Sequence, residues 1–299
     1  MEVIGVWGSP GGGKTTLAME LAKTISEETK ENVVLIFTED QASPLSYLFP
    51  GRNKEGGSLG KIITMAGFDQ DELIRTLVNH PKNKYLACLG YRNEDCKLSY
   101  PDVVESQVID LFVTLGQKFK YAVVDGQSNF HNDWITQYAL RYGRCVMVGG
   151  GDLKSIAFFN ATTTLLQDFP GFRDSAIRVA NNPWDFETWR LIGEKYGGVQ
   201  HYFPYCMDVQ LAYLEERSIE SIKTTKRNRE FVRELSRLRE SLMAETSEYP
   251  HENRSTRKQK RSKKERIPKQ RVEKFKKEKT RRTPIFKLPF KKVKEEGSE

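Results

Sequence analysis

Gly8-Ser9-Pro10-Gly11-Gly12-Gly13-Lys14-Thr15 fits GxxxxGK[ST], and its surroundings are those a phosphate-binding loop requires. Val3-Ile4-Gly5-Val6-Trp7 is a short apolar run that reads as a buried strand, and Leu17, Leu21 and Ile25 give the residues that follow helical spacing. Strand, glycine loop and helix in that order turn successive backbone N–H groups and the positive end of a helix toward one point. The pattern therefore implies a nucleoside triphosphate site. Gly8, Gly11, Gly12, Gly13, Lys14, Thr15 and Thr16 are the candidate binding residues, with Lys14 reaching the β and γ phosphates and Thr15 holding Mg²⁺.

The rest of the chain alternates strands and helices. Val33–Phe37 reads as a second buried strand, with Glu39 and Asp40 just beyond its carboxyl end. Ile62–Thr64 reads as a weak strand, 69–79 as an amphipathic helix and Tyr85–Leu89 as a strand, and Pro101 is expected to open a helix to about Lys118. Tyr121-Ala122-Val123-Val124-Asp125 is an apolar strand ending in a carboxylate, the Walker B arrangement. Its Asp125 would accept from Thr15 or from a Mg²⁺-bound water. Strands at 145–148, 176–180 and 200–203, a helix over 186–196 and a helical pattern from Val209 to Leu242, continuous or with a break, complete the reading. The expected fold is α/β, a P-loop NTPase with a mainly parallel sheet flanked by helices, then a C-terminal helical segment and a disordered basic tail. The expected boundaries are 1–215, 216–247 and 248–299.

Charge separates the tail from the rest. Residues 251–299 hold 20 Lys and Arg against 7 Asp and Glu, leaving 28 against 33 for residues 1–250, so the net +8 comes wholly from the tail. With little apolar content, no packed core can form there. Cys88, Cys96, Cys145 and Cys206 form no CxxC pair, and the four histidines are scattered, which argues against a Cys/His zinc site or a disulfide framework. A chain that opens on a core strand and lacks a long apolar run is expected to be cytoplasmic, or peripheral at a membrane or nucleoid. Trp184, Phe186 and Trp189 lie at helical spacing and read as core or interface rather than as a stacking platform.

Taken together, these residues resemble the ParA/MinD family of P-loop ATPases over about residues 1–220. The resemblance rests on the GKTT ending of the loop, on Val34–Ser43 as a strand running into an acidic, Gln-containing switch, and on the Walker B strand. Val179-Ala180-Asn181 is similar to the family's strand ending in an adenine-binding Asn, and Tyr202–Tyr205 to its base-pocket turn. It implies ATP and Mg²⁺ as cofactors, Asn181 as a base contact, Lys14, Glu39 and Asp125 as the catalytic set, and a nucleotide-dependent homodimer. Three departures stand out. Ser9 occupies the place of the signature lysine that crosses a dimer interface. Phe37 occupies the place of the water-orienting aspartate, leaving Glu39 as the next acidic position. Gly126-Gln127-Ser128 replaces the usual Thr-Pro-Pro. Similar departures occur in the branch that includes the CpaE/TadZ pilus-assembly ATPases and in ParA-like proteins of mobile elements. They imply slow turnover, with an ATP-binding adaptor or a small-molecule kinase as rivals.

Residues 254–294 carry basic clusters and the mixed stretch Pro284–Phe290, with Ile285, Phe286 and Leu288 among its prolines. A local field of this strength suits nucleic acid, an anionic membrane surface or an acidic protein.

Overall fold

The computed structural model describes residues 1–49, 57–92, 95–162, 175–182, 186–215 and 222–244, with the single positions 166, 169, 172 and 217. Met1–Thr246 and Ser247–Glu299 separate as two units; the second, and with it the basic tail, lies outside the described residues.

One eight-stranded sheet organises the first unit. Its strands are β1 (Glu2–Gly8), β2 (Val33–Phe37), β3 (Val78–Asn79), β4 (Leu86–Leu89), β5 (Tyr121–Asp125), β6 (Arg144–Gly150), β7 (Ile177–Asn181) and β8 (His201–Phe203), in the spatial order β3-β4-β2-β5-β1-β6-β7-β8. Every pairing is parallel except the two-residue edge strand β3, which runs antiparallel to β4. Parallel strands need covering on both faces, and the sequence supplies this with runs apolar at every position. Val33, Leu35 and Phe37 of β2 face one layer, while Val34 and Ile36 face the other.

Helix α1 (Lys14–Thr29) fills the first layer with Leu17, Leu21 and Ile25. It is joined there by the last described helix, α10 (Arg229–Met243), whose Phe231, Leu235, Leu238 and Leu242 recur at helical spacing and are buried. The ring of Phe231 meets Phe203 of β8 at 5.3 Å, and His201 Nδ1 lies 2.8 Å from Glu234 Oε1. The second layer holds α3 (Leu59–Thr64), α4 (Gln70–Thr76), α5 (Glu105–Leu115) and α6 (Trp134–Tyr142). A third cluster gathers around Trp7 with Phe130, Phe159 and Phe172, beneath α7 (Leu153–Thr162) and α8 (Phe186–Lys195). The short helices α2 (Pro44–Leu48) and α9 (Met207–Leu214) complete the unit.

Three local expectations change. Ile62–Thr64 is helical: Leu59, Ile62 and Ile63 are buried at i, i+3 and i+4, a pattern that a three-residue window cannot distinguish from a strand. The helix expected from Pro101 starts at Glu105, where the Gln107 side chain accepts from the backbone N–H of Val104. The helix expected over 69–79 stops at Thr76, and Val78–Asn79 pairs with β4 instead. The run from Val209 to Leu242 resolves into α9 and α10. Trp189 stacks on Tyr202 at 5.2 Å with ring planes 10° apart; Trp184 lies outside the described residues.

Candidate nucleotide site

β1 lies between β5 and β6, so the loop after it emerges mid-sheet at the carboxyl ends of three strands, where open α/β sheets collect ligands. The loop sits hard against β6: Ser9 N–H donates to Val148 O at 3.1 Å, and a Cβ on Gly8 would come within 1.8 Å of that same oxygen. Gly13, with φ of 87°, caps α1, and a Cβ there would meet Asn181 Nδ2 at 2.1 Å. Only glycine satisfies both the dihedral and the contact. No side chain caps α1, leaving the N–H groups of its first turn facing the loop's concavity.

Lys14 projects from that turn. Its ammonium donates to Ser128 Oγ at 2.6 Å and to Ser9 O at 3.1 Å, and Ser128 Oγ donates in turn to Gly8 O at 2.8 Å. Burial lowers the Lys14 pKa, while the charges of Asp125 and Glu39 act against it. One residue on, Thr15 Oγ1 donates to Asp125 Oδ2 at 2.7 Å. Asp125 ends β5 directly beside Val6 of β1, and its side chain is buried. Burial pushes its carboxyl up to about 7 against the pull of Thr15 and Lys14. Its second oxygen, Oδ1, is buried without a hydrogen bond.

That orphaned oxygen beside a threonine hydroxyl fits a hard cation and its waters, which accept anionic and neutral oxygen partners. Thr15 and Asp125 are therefore the residues able to hold Mg²⁺. The glycine loop, the first turn of α1 and Lys14 form the matching cradle for a polyphosphate.

Two further networks frame the site. Asn181, at the end of β7, donates through Nδ2 to Gly12 O at 2.9 Å, so it braces the loop. Ser9, fully buried, shares a 2.7 Å hydrogen bond with Ser155 Oγ, which accepts from Gly150 N at 3.0 Å, while Ser155 N–H donates to Asp152 Oδ1 at 2.7 Å. On the opposite side, Thr38 Oγ1 donates to Asp125 O at 3.0 Å, and Gln127 N–H donates to the hydroxyls of Thr38 and Thr136. The Gln127 amide donates to Thr38 O at 2.5 Å. These bonds tie the segment after β2 to the segment after β5.

Phe37 is fully buried in the α1 layer. Glu39 accepts from Gln41 N–H at 3.1 Å, and its charge acts on both Lys14 and Asp125. Thr16 lies beside the buried hydroxyl of Tyr213. The sequence reading assigns no role to Ser128, Ser155 or Thr136. Ser155 and Thr136 carried a faint signal, since Asp152 and Asp133 three residues before them give the spacing of a helix start, and each aspartate accepts from its partner's N–H; Ser128 meets Lys14 and Gly8 only through the sheet's topology.

No family model matches the chain, and no curated protein matches it. Solved structures do. A ParA family ATPase from Chlorobium tepidum superposes with a TM-score of 0.65 at 16% identity, over 80% of this chain and 97% of that one. MinD from Pyrococcus horikoshii, in complex with Mg-ADP, gives 0.60 at 13% identity over 81% and 96%. A putative plasmid partition protein from Borrelia burgdorferi, bound to AMPPNP, gives 0.57 at 17% identity over 79% and 97%. The fold is that of the ParA/MinD ATPases.

Proposed function

We propose that this chain is a Mg²⁺-dependent, ATP-binding switch protein of ParA/MinD type that hydrolyses ATP slowly and positions or regulates a larger assembly. The observation that carries the reading is the Thr15–Asp125 hydrogen bond at 2.7 Å with Asp125 Oδ1 buried and unpaired, set against the glycine loop that presents Lys14. The nucleotides named in two of the similar structures, Mg-ADP and AMPPNP, support ATP as the ligand.

In this reading Lys14 leaves Ser128 for the β and γ phosphates, and the loop N–H groups and the first turn of α1 hold the remaining phosphate oxygens. Thr15 and Asp125 would hold Mg²⁺, which would neutralise charge on the phosphates. Asn181, which braces the loop through Gly12 O, is the residue assigned to contact the base. Glu39, whose charge acts on both Lys14 and Asp125, is the carboxylate assigned to orient an attacking water, and it must first give up the Gln41 N–H. Turnover is slow because Phe37 offers no polar group there. Ser9, buried against Ser155, cannot reach another subunit, so a nucleotide-dependent homodimer must close through other contacts.

A second reading, an ATP-binding adaptor with little hydrolysis, is favoured by the same burial of Phe37 and Ser9. Steady-state hydrolysis by the full chain, alone and with duplex DNA or anionic liposomes, separates the two, with Lys14→Ala as the blank. Stimulation by one surface supports the switch and identifies what the tail binds; turnover equal to the blank throughout leaves the adaptor.

A further inference from the structure

A cavity of about 320 Å³ opens between α3, α4 and the segment that follows β4. Three cationic side chains line it, Lys61 from α3, Arg75 from α4 and Arg92 beyond β4, against a single carboxylate, Glu72. Glu72 is already committed: its Oε2 accepts from the Asp69 N–H at 3.1 Å in the capping box that starts α4. Among the described residues neither Lys61 nor Arg75 makes an ion pair, and Arg92 Nε is buried without a hydrogen bond. A buried guanidinium nitrogen without a partner is costly, and three like charges around a concavity focus a positive field inside it. Ile62 and Met65 add an apolar wall to the same space.

We propose that this cavity binds a phosphorylated small molecule of about mononucleotide size, its phosphate held by Lys61, Arg75 and Arg92 and its apolar part resting on Ile62 and Met65. The volume is at the lower end of small-molecule sites, and arginine's fixed fork of donors suits a phosphate. The position follows the same rule as the P-loop, since Arg92 comes just after the carboxyl end of β4 in an open α/β sheet. The two places are nonetheless separate, because β2 and β5 intervene between β4 and β1. Through Ser43, whose hydroxyl donates to Tyr91 O at 2.6 Å, the cavity's rim connects to the segment after β2, so occupancy can bias that segment.

The inference does not depend on ATP binding at the glycine loop, and the test separates the two. The full-length Lys14→Ala protein is titrated calorimetrically with inorganic pyrophosphate and with AMP at near-physiological salt, beside the same protein carrying Lys61→Gln and Arg75→Gln. Both added changes are on exposed side chains, so folding is preserved, and any contribution of the basic tail is common to both proteins. The proposal expects saturable binding that survives Lys14→Ala and weakens at least tenfold with Lys61→Gln/Arg75→Gln. Arg92→Gln should weaken it comparably. Absence of saturable binding in Lys14→Ala, or equal affinity with and without Lys61 and Arg75, overturns the proposal whatever the glycine loop binds.

Discussion

Replacing Lys23 by methionine should destabilise the helix that carries the phosphate loop more severely than any surface change on it. Lys23 Nζ lies 2.7 Å from Glu20 Oε1, and both side chains are less than 5% exposed, 3% for Lys23 and 4% for Glu20. Removing one partner of such a pair leaves a buried charge, at a cost of about 3–5 kcal/mol. With a denaturant slope typical of a domain this size, that is a fall of about 1–2 M in the urea midpoint. The loss should depend on pH. Burial raises the Glu20 pKa above its ordinary 4.5 despite Lys23, so the folded protein holds that proton more tightly than the unfolded chain. Stability is therefore lost as pH rises from the ordinary carboxyl range through the folded value. Without Lys23 the folded value rises further, so the deficit of Lys23→Met should be greatest near pH 8 and shrink toward pH 4, where Glu20 is mostly protonated in both states. Glu20→Leu/Lys23→Met should return to within about 1–2 kcal/mol of the parent. Urea unfolding at pH 4, 6 and 8 measures all three proteins; a Lys23→Met deficit under 1 kcal/mol at pH 8, or one that grows toward acid, refutes the reasoning.

Leu238→Ala, at a fully buried position of α10, should cost about 2–5 kcal/mol in the same assay, and a surface-like loss would mean α10 is not part of the core. Thr15→Val removes the hydroxyl that donates to Asp125 Oδ2, so Mg²⁺-dependent nucleotide affinity should fall at least tenfold while far-UV circular dichroism is unchanged; equal affinity would remove Thr15 from the site. Asn181→Ala frees Gly12 O and should weaken ATP binding several-fold by loosening the loop, whereas a variant that binds equally well would make that contact incidental.

Much of this was legible in the sequence because it is local. The glycine loop, the strand before it and the helix after it are contiguous, and a five-residue β-branched and apolar run such as Val33–Phe37 suits a strand covered on both faces. Asp125 was legible because a carboxylate closing an apolar strand is a short pattern, and its meeting with Thr15 follows from β1 pairing β5. Ile62–Thr64 was misread because three apolar residues carry no period; the helix shows only when Leu59 is included. Lys14's hold on Ser128 and Ser9's on Ser155 join residues 114 and 146 positions apart, and no spacing rule reaches that far. The bond from the Asn181 amide to Gly12 O, across 169 positions, is out of reach of any spacing rule for the same reason.

Equilibrium dialysis of ATP against the full-length chain, with and without Mg²⁺, and in parallel against Lys14→Ala, tests the account most directly. Saturable binding that requires Mg²⁺ and is lost in Lys14→Ala, with the variant still folded, is the predicted result. ATP retained equally by both proteins, or by neither at millimolar nucleotide, would contradict it.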